Sequence, residues 1–119
     1  MGRHTPHRET DVIVVGGGGS GLAAAVEASS QGATVALLEK RPRLGGTTGI
    51  AVGSFTAACT SLQRAESVED RTSWHRQDIA RFAPHRESKN NTSLRSWLAE
   101  NAADTLEWLL AMGVELGSE

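Results

Sequence analysis

Two short apolar runs lie near the start of the chain, residues 12–15 (VIVV) and 34–38 (TVALL), with a helical pattern between them. Continuous apolar runs of this length, rich in valine, predict buried parallel strands, because such strands meet cover on both faces. Residues 22–31 (LAAAVEASSQ) predict a helix, with Gly32 as its stop. Strand, helix and strand in this order make a βαβ unit. Farther on, residues 67–82 form a polar helical pattern with Trp74, Ile79 and Phe82 as its apolar contacts. Pro84 ends it, and residues 85–91 read as a charged, exposed loop. Asn91, Thr92 or Ser93 is placed to cap the next helix, whose Leu94, Trp97, Leu98, Ala102, Leu106, Leu109 and Leu110 share one face. Asn101 is a candidate break within that helix, Gly113 a stop, and residues 114–116 the start of something extended.

The turn between the first strand and the first helix reads Gly16-x-Gly18-x-x-Gly21. Each glycine has its own physical role. Gly16 makes a tight turn, Gly18 lets the backbone approach a pyrophosphate, and Gly21 allows close helix–strand packing. The helix start offers unpaired N–H groups and the positive end of the helix dipole, which suit a diphosphate. The second strand ends at Glu39, about 20 residues on, where an acid accepts hydrogen bonds from ribose hydroxyls. An acid there also disfavours a 2′-phosphate, which puts NADP last among the dinucleotides. Four glycines in a row, residues 16–19, would also suit a flexible linker. Linkers are not normally flanked by two β-rich apolar runs with a helix stop between them.

After Glu39, Pro42 bars continuation into a central ladder. Gly45-Gly46 then lets backbone pass close to a bulky ligand, and Thr47 and Thr48 carry hydroxyls able to bond phosphate or ribityl oxygens. The small-residue stretch that follows, GIAVGSFTAA, extends this beyond a plain surface turn.

The bulk numbers limit the remaining choices. A length of 119 residues allows one domain, and a net charge of −2 gives no sign of nucleic acid or of an anionic membrane surface. Arg71, Arg76, Arg81 and Arg86 are spaced by five, so on a helix they scatter around the axis. Cys59 cannot form an internal disulfide, which fits a reducing, cytoplasmic setting, and it reads as a small buried or half-buried side chain. Residues 1–10 lack an apolar core and read as a disordered lead-in, and no run is long enough to span a membrane. Pro6 breaks the myristoylation pattern at Gly2, and His4 and His7 lack further ligands, so no metal site is expected. Two apolar parallel strands with one crossover helix leave a sheet face and an edge uncovered. The chain therefore reads as the front of a larger protein, or as one completed by a partner chain.

From residue 11 to 116 the sequence resembles the N-terminal part of the FAD-dependent fumarate reductase/succinate dehydrogenase flavoprotein family, which includes ketosteroid dehydrogenases. The most specific part is the succession Glu39-Lys40, Gly45-Gly46-Thr47-Thr48, Gly53 and the helical ENAADTLEWLLAMGVEL. The resemblance implies an α/β fold: a Rossmann-like FAD-binding βαβ unit with an incomplete parallel sheet followed by helices. It implies residues 11–119 as the front of an FAD-binding domain, cut before the rest of the sheet and the capping, substrate-bearing domain. By the same resemblance, Gly16, Gly18, Gly19, Ser20 and Gly21 hold the diphosphate of FAD, Glu39 the adenosine ribose, and Lys40 lies beside the adenosine end. Gly45, Gly46, Thr47 and Thr48 line the diphosphate and ribityl chain, with Ala51 and Gly53 nearer the ring. The chain departs from the family at Ala51, where a serine is frequent, and at Ser54, where a second glycine is.

In that family hydride passes between flavin N5 and a C=C or CH–CH substrate, a small molecule met by arginine and histidine groups. None of the arginines in this chain matches that motif, so no catalytic residue is assigned. Two other readings stand beside the oxidoreductase: a truncated, non-catalytic nucleotide-binding remnant, and an NAD-binding dehydrogenase domain. The latter leaves Gly45-Gly46-Thr47-Thr48 without a purpose.

Overall fold

The computed structural model describes residues 9–116. The chain divides between Ser54 and Phe55 into two compact units. The expected disorder of the lead-in, and His4 and His7 within it, fall outside the described residues apart from Glu9 and Thr10.

The first unit is the βαβ element: β1 (Val12–Val15), α1 (Gly19–Ser30) and β2 (Val35–Leu38). The strands are parallel, with Val12 opposite Val35 and Val15 opposite Leu38. Thr34 and Asp11 lock the beginning of this ladder. The Asp11 carboxylate accepts the Thr34 amide at 2.8 Å and its hydroxyl at 2.6 Å. These bonds, the hydroxyl first, hold the Asp11 carboxyl below its usual pKa. Alternation along β1 decides which face is covered. Val12 and Val14 are half-buried, whereas Ile13 is 62% and Val15 82% exposed. A Cβ on Gly21 would lie 3.4 Å from Val14 Cγ1, so α1 packs on the Val14 face. The opposite face is bare, as two strands with one crossover helix require.

α1 begins at Gly19, three residues before the apolar pattern that marks it in the sequence. Gly19 and Gly21 have poor helix propensity, but packing overrides it. A side chain on Gly21 would run into the carbonyl oxygen of Gly16, so only glycine lets the first helical turn sit this close to the end of β1. The rest of α1 is rich in alanine and has no fully buried residue.

The second unit contains α2 (Ser61–Ala65), α3 (Thr72–Phe82), a 3-10 segment (Pro84–Lys89) and α4 (Thr92–Ala111). The short α2 has no counterpart among the elements expected from the sequence. A reciprocal capping box starts it: Thr60 Oγ1 accepts the Gln63 amide at 3.1 Å, and Gln63 Oε1 accepts the Thr60 amide at 2.9 Å. Glu107 of α4 then accepts both the amide and the hydroxyl of Ser61 at 2.9 Å. α3 starts at Thr72, not Ser67, because Ser67 has φ +58°, outside the helical region. Its expected apolar contact Phe82 is 92% exposed, while His75 is buried. Residues 84–89 are a 3-10 turn in place of the expected loop, tied to α4 by Arg95 Nη1 donating to Glu87 at 2.7 Å. Cys59 is exposed, contrary to the expectation of a buried or half-buried side chain, and its Sγ lies 3.3 Å from the Asp70 carbonyl.

Asn91 caps α4, its Oδ1 accepting the Leu94 amide at 2.9 Å. Asn101 does not divide the helix. Its side-chain amide donates to the Trp97 carbonyl at 2.7 Å, one turn back, which leaves the backbone ladder intact. Gly113 has φ +84° and donates to Leu110, while Val114 donates to Leu109. This is a Schellman cap, so Val114 closes the helix instead of opening a strand. The core holds Ala58, Ala99, Ala102 and Leu106. Leu94, Trp97 and Leu98, expected on the same inner face, are exposed.

Leu106 is the largest apolar side chain in that core. Leu106→Ala should lower the unfolding free energy of the chain by about 2–3 kcal/mol, with a cavity left beside Ala99 and Ala102. Urea unfolding followed by helical circular dichroism reads this, and a midpoint equal to that of the unaltered chain would show the α4 core to be built otherwise.

Candidate functional site

The sequence-predicted residues converge at the C-terminal ends of the two strands, within the first unit. β1 ends as Gly16 donates its amide to Leu38 at 2.8 Å, and Gly16 then turns the chain with φ +108°. That conformation is costly for any residue with a Cβ. The next residue, the buried Gly17, is held at both of its backbone polar groups. Its N–H donates to Glu39 Oε2 at 2.7 Å, and its carbonyl accepts the Gly45 amide at 2.7 Å. A Cβ on Gly17 would lie 2.5 Å from Leu44 and 3.3 Å from the Cβ of Glu39. Neither Gly17 nor Leu44 is singled out by the sequence. Gly17 occupies a free position of the glycine pattern, where nothing in one sequence marks a constraint.

The second glycine pair meets the first. Gly18 and Gly45 form an isolated parallel bridge, and a Cβ on Gly46 would lie 3.1 Å from the Gly18 Cα. The Thr48 hydroxyl sits against the start of α1, where a Cβ on Gly19 would come within 2.6 Å of its oxygen. Thr47 precedes the 3-10 turn Thr48–Ile50 and is exposed. Ser20 is exposed in the first turn of α1, and Lys40 is exposed beside Glu39. Ala51 donates its amide back to Thr48 at 3.3 Å. Gly53 has nothing within 4 Å of where a Cβ would stand. The structure thus gathers Gly16, Gly18, Gly19, Gly21, Glu39, Gly45, Gly46 and Thr48 around one turn, while Ala51 and Gly53 lie beyond it.

The electrostatics of this turn favour an anion. Gly18 precedes α1 without a side-chain cap, and the first turn contains no acidic residue. The first intrahelical bond is Leu22 to Gly18 at 2.9 Å, so the amides of Gly19, Ser20 and Gly21 have no intrahelical acceptor. They stand at the positive pole of the helix. A Cβ on Gly18 would point into open space with nothing within 4 Å, which leaves room for a bulky group against the backbone. Glu39 stays ionised: the Arg41 amide at 2.9 Å and then the Gly17 amide hold its carboxyl below the usual pKa. Each of its oxygens retains a lone pair for a hydroxyl. Backbone donors for a diphosphate, next to a carboxylate for a ribose, fit the adenosine diphosphate half of FAD.

Among the described residues there is no group of three His, Cys, Asp or Glu able to hold a metal. No described helix is long and apolar enough to cross a membrane.

Comparison with known proteins identifies the family. The family described as "FAD binding domain" matches residues 11–118. The chain is 36% identical over 111 residues to a fumarate reductase (cytochrome) of Shewanella frigidimarina, covering 93% of this chain and 19% of that protein. It is 37% identical over 115 residues to an NADH:fumarate oxidoreductase of Klebsiella pneumoniae, covering 97% of this chain and 12% of that one. Among solved structures, the open conformation of a flavocytochrome c3 fumarate reductase superposes with a TM-score of 0.79 at 37% identity. That match covers 92% of this chain and 19% of the other. The chain spans about a fifth or less of the length of these relatives.

The Glu39–Gly17 bond generates a pH dependence. A carboxyl whose pKa is lowered in the fold contributes stability above its unfolded pKa and loses it as pH falls through the folded value. The Gly17 and Arg41 amide resonances should therefore shift together as acid is added, with a midpoint below the ordinary glutamate value. NMR titration reads this, and Glu39→Gln should abolish the shared transition. A Gly17 shift that survives this substitution would assign the titration to another group.

Proposed function

The chain belongs to the FAD binding domain family, and from that membership we propose that it forms the cofactor-binding front of a flavin-dependent oxidoreductase of the fumarate reductase type. One observation carries the reading: the two glycine segments close on a single peptide, Gly17–Gly18, at the uncapped start of α1. In an NAD-binding domain the glycine turn and Glu39 would suffice, and the convergence of Gly45, Gly46 and Thr48 on it would be without a purpose.

In this reading the amides of Gly19, Ser20 and Gly21 and the backbone at Gly18 receive the diphosphate, with Gly16 turning the chain toward it. Glu39 accepts the adenosine ribose hydroxyls, and Lys40 lies at the adenosine end. Gly45, Gly46, Thr47 and Thr48 follow the diphosphate and ribityl chain, and Ala51 and Gly53 lead toward the ring. FAD, when bound, supplies hydride transfer between its N5 and a C=C or CH–CH bond of a small-molecule substrate. The first unit's residues bind and orient; no residue of this chain is assigned a proton-transfer role. An exposed thiol at Cys59 suits a reducing, cytoplasmic setting.

A second reading concerns the 119 residues alone. The bare strand face at Ile13 and Val15 favours a unit that needs further polypeptide over it, in the same chain or a partner, and that alone binds nucleotide weakly and turns nothing over.

Flavin uptake tests both. The purified chain, incubated with FAD and freed of excess, should retain a flavin absorbance, and Gly18→Val should reduce it at least about tenfold by filling the open space against the backbone. Retention of NAD with no affinity for FAD would sink the flavin reading. Sustained reduction of an activated alkene by the chain alone would exclude the second.

A further inference from the structure

Lys40, Arg41 and Arg43 are the only cations between residues 9 and 54, and all three fall in the stretch that joins β2 to the second glycine pair. Both flanks of this stretch are fastened to one residue, Gly17. Glu39 accepts the Gly17 amide, and Gly45 donates to the Gly17 carbonyl, each at 2.7 Å. Residues 40–44 therefore form a short arch with both feet on the glycine turn. At roughly 3.5 Å per residue its apex lies no more than about 10 Å from either foot, within about two Debye lengths of the turn at physiological salt, where one is about 8 Å. All three cations are exposed, and the ion pairs among the described residues involve other arginines, Arg71, Arg81 and Arg95.

The acids of the same unit lie elsewhere. Glu9 and Asp11 stand at the N-terminal edge of the strands, with Asp11 tied to Thr34. Glu27 lies in the last third of α1, near the helix end that reaches the same edge. Glu39 is the exception: it stays ionised, held by two backbone amides, and offsets one of the three cations, so the turn end keeps a positive excess. Within residues 9–54 the charges are thus polarised over the length of the four-residue strands, about 13 Å. Three cations and the positive pole of α1 share one end, and three carboxylates and the negative pole share the other. This pattern does not serve α1 itself, which lacks an acid in its first turn and a base in its last.

We infer that Arg41 and Arg43, together with Lys40, form an electrostatic funnel that steers a dianionic diphosphate onto the glycine turn and sets the rate of cofactor capture. The inference rests on the FAD reading above and adds to it a kinetic role for side chains that need no contact with the bound molecule. A cleft of one charge sign raises the on-rate of an oppositely charged ligand steeply at low salt, whereas residence time depends on the contacts made once it is seated.

The test is stopped-flow quenching of flavin fluorescence with the full chain, comparing wild type with Arg41→Gln/Arg43→Gln across ionic strength. At low salt the double variant should bind FAD about 3- to 10-fold more slowly. The two should converge near 1 M salt, where the Debye length shrinks to about 3 Å, with dissociation rates within about twofold throughout. Riboflavin, which lacks the diphosphate, should associate equally fast with both. Equal FAD on-rates at low salt would overturn the funnel, and so would a deficit that persists at high salt or appears in the off-rate. A wild-type on-rate independent of salt overturns it without any variant. A wild-type chain that takes up no FAD overturns the cofactor reading and this inference with it, whereas uptake with unchanged variant kinetics overturns the funnel alone.

Discussion

Gly17 is the joint on which the first unit depends. Its N–H and its carbonyl are each taken by a different part of the chain, Glu39 and Gly45. An unpaired buried backbone group costs about 1–3 kcal/mol, so satisfying both fixes the turn, the end of β2 and the second glycine pair in one geometry. The absence of a side chain at Gly17 is what permits this. Leu44 and Glu39 stand where a Cβ would go, and a larger residue would push the arch away from the turn. Placement of the uncapped end of α1 and of the Thr48 hydroxyl follows from this joint.

Glu39 consequently serves two purposes. It is a structural acceptor for two amides, and it remains an anion. These uses do not conflict, because each carboxylate oxygen can accept more than one hydrogen bond. A glutamine could accept with one oxygen only, so it could not reproduce both amide bonds. The end of β2 is therefore constrained by the apo architecture as much as by any ribose.

Much of this was legible in the sequence because it depended on local signals. The valine-rich run at residues 12–15 and the turn glycines fixed β1 and the place of the site, and Asn91 marked the start of α4. The features that escaped depend on what approaches from far along the chain. Gly17 has no side chain to betray its role, and the start of α1 at Gly19 is set by contact with Gly16 against intrinsic propensity. α2 was too short for periodicity, although Thr60 and Gln63 carried its capping signature. Periodicity found the apolar face of α4 but could not say how much of it has a partner. Ala102 and Leu106 are buried there, whereas Leu94 and Trp97 are not.

The glycine cradle also has a kinetic meaning. Its long-range ties are few and close in sequence, the Gly17–Glu39 bond spanning 22 residues. Loop-closure entropy grows only with the logarithm of such a span, and helix formation in α1 brings the two strands into parallel register. The described backbone hydrogen bonds that shape the cradle all lie within residues 9–54, so the geometry of the anion-binding turn is written into one short span of chain even though the strand face behind it still needs cover.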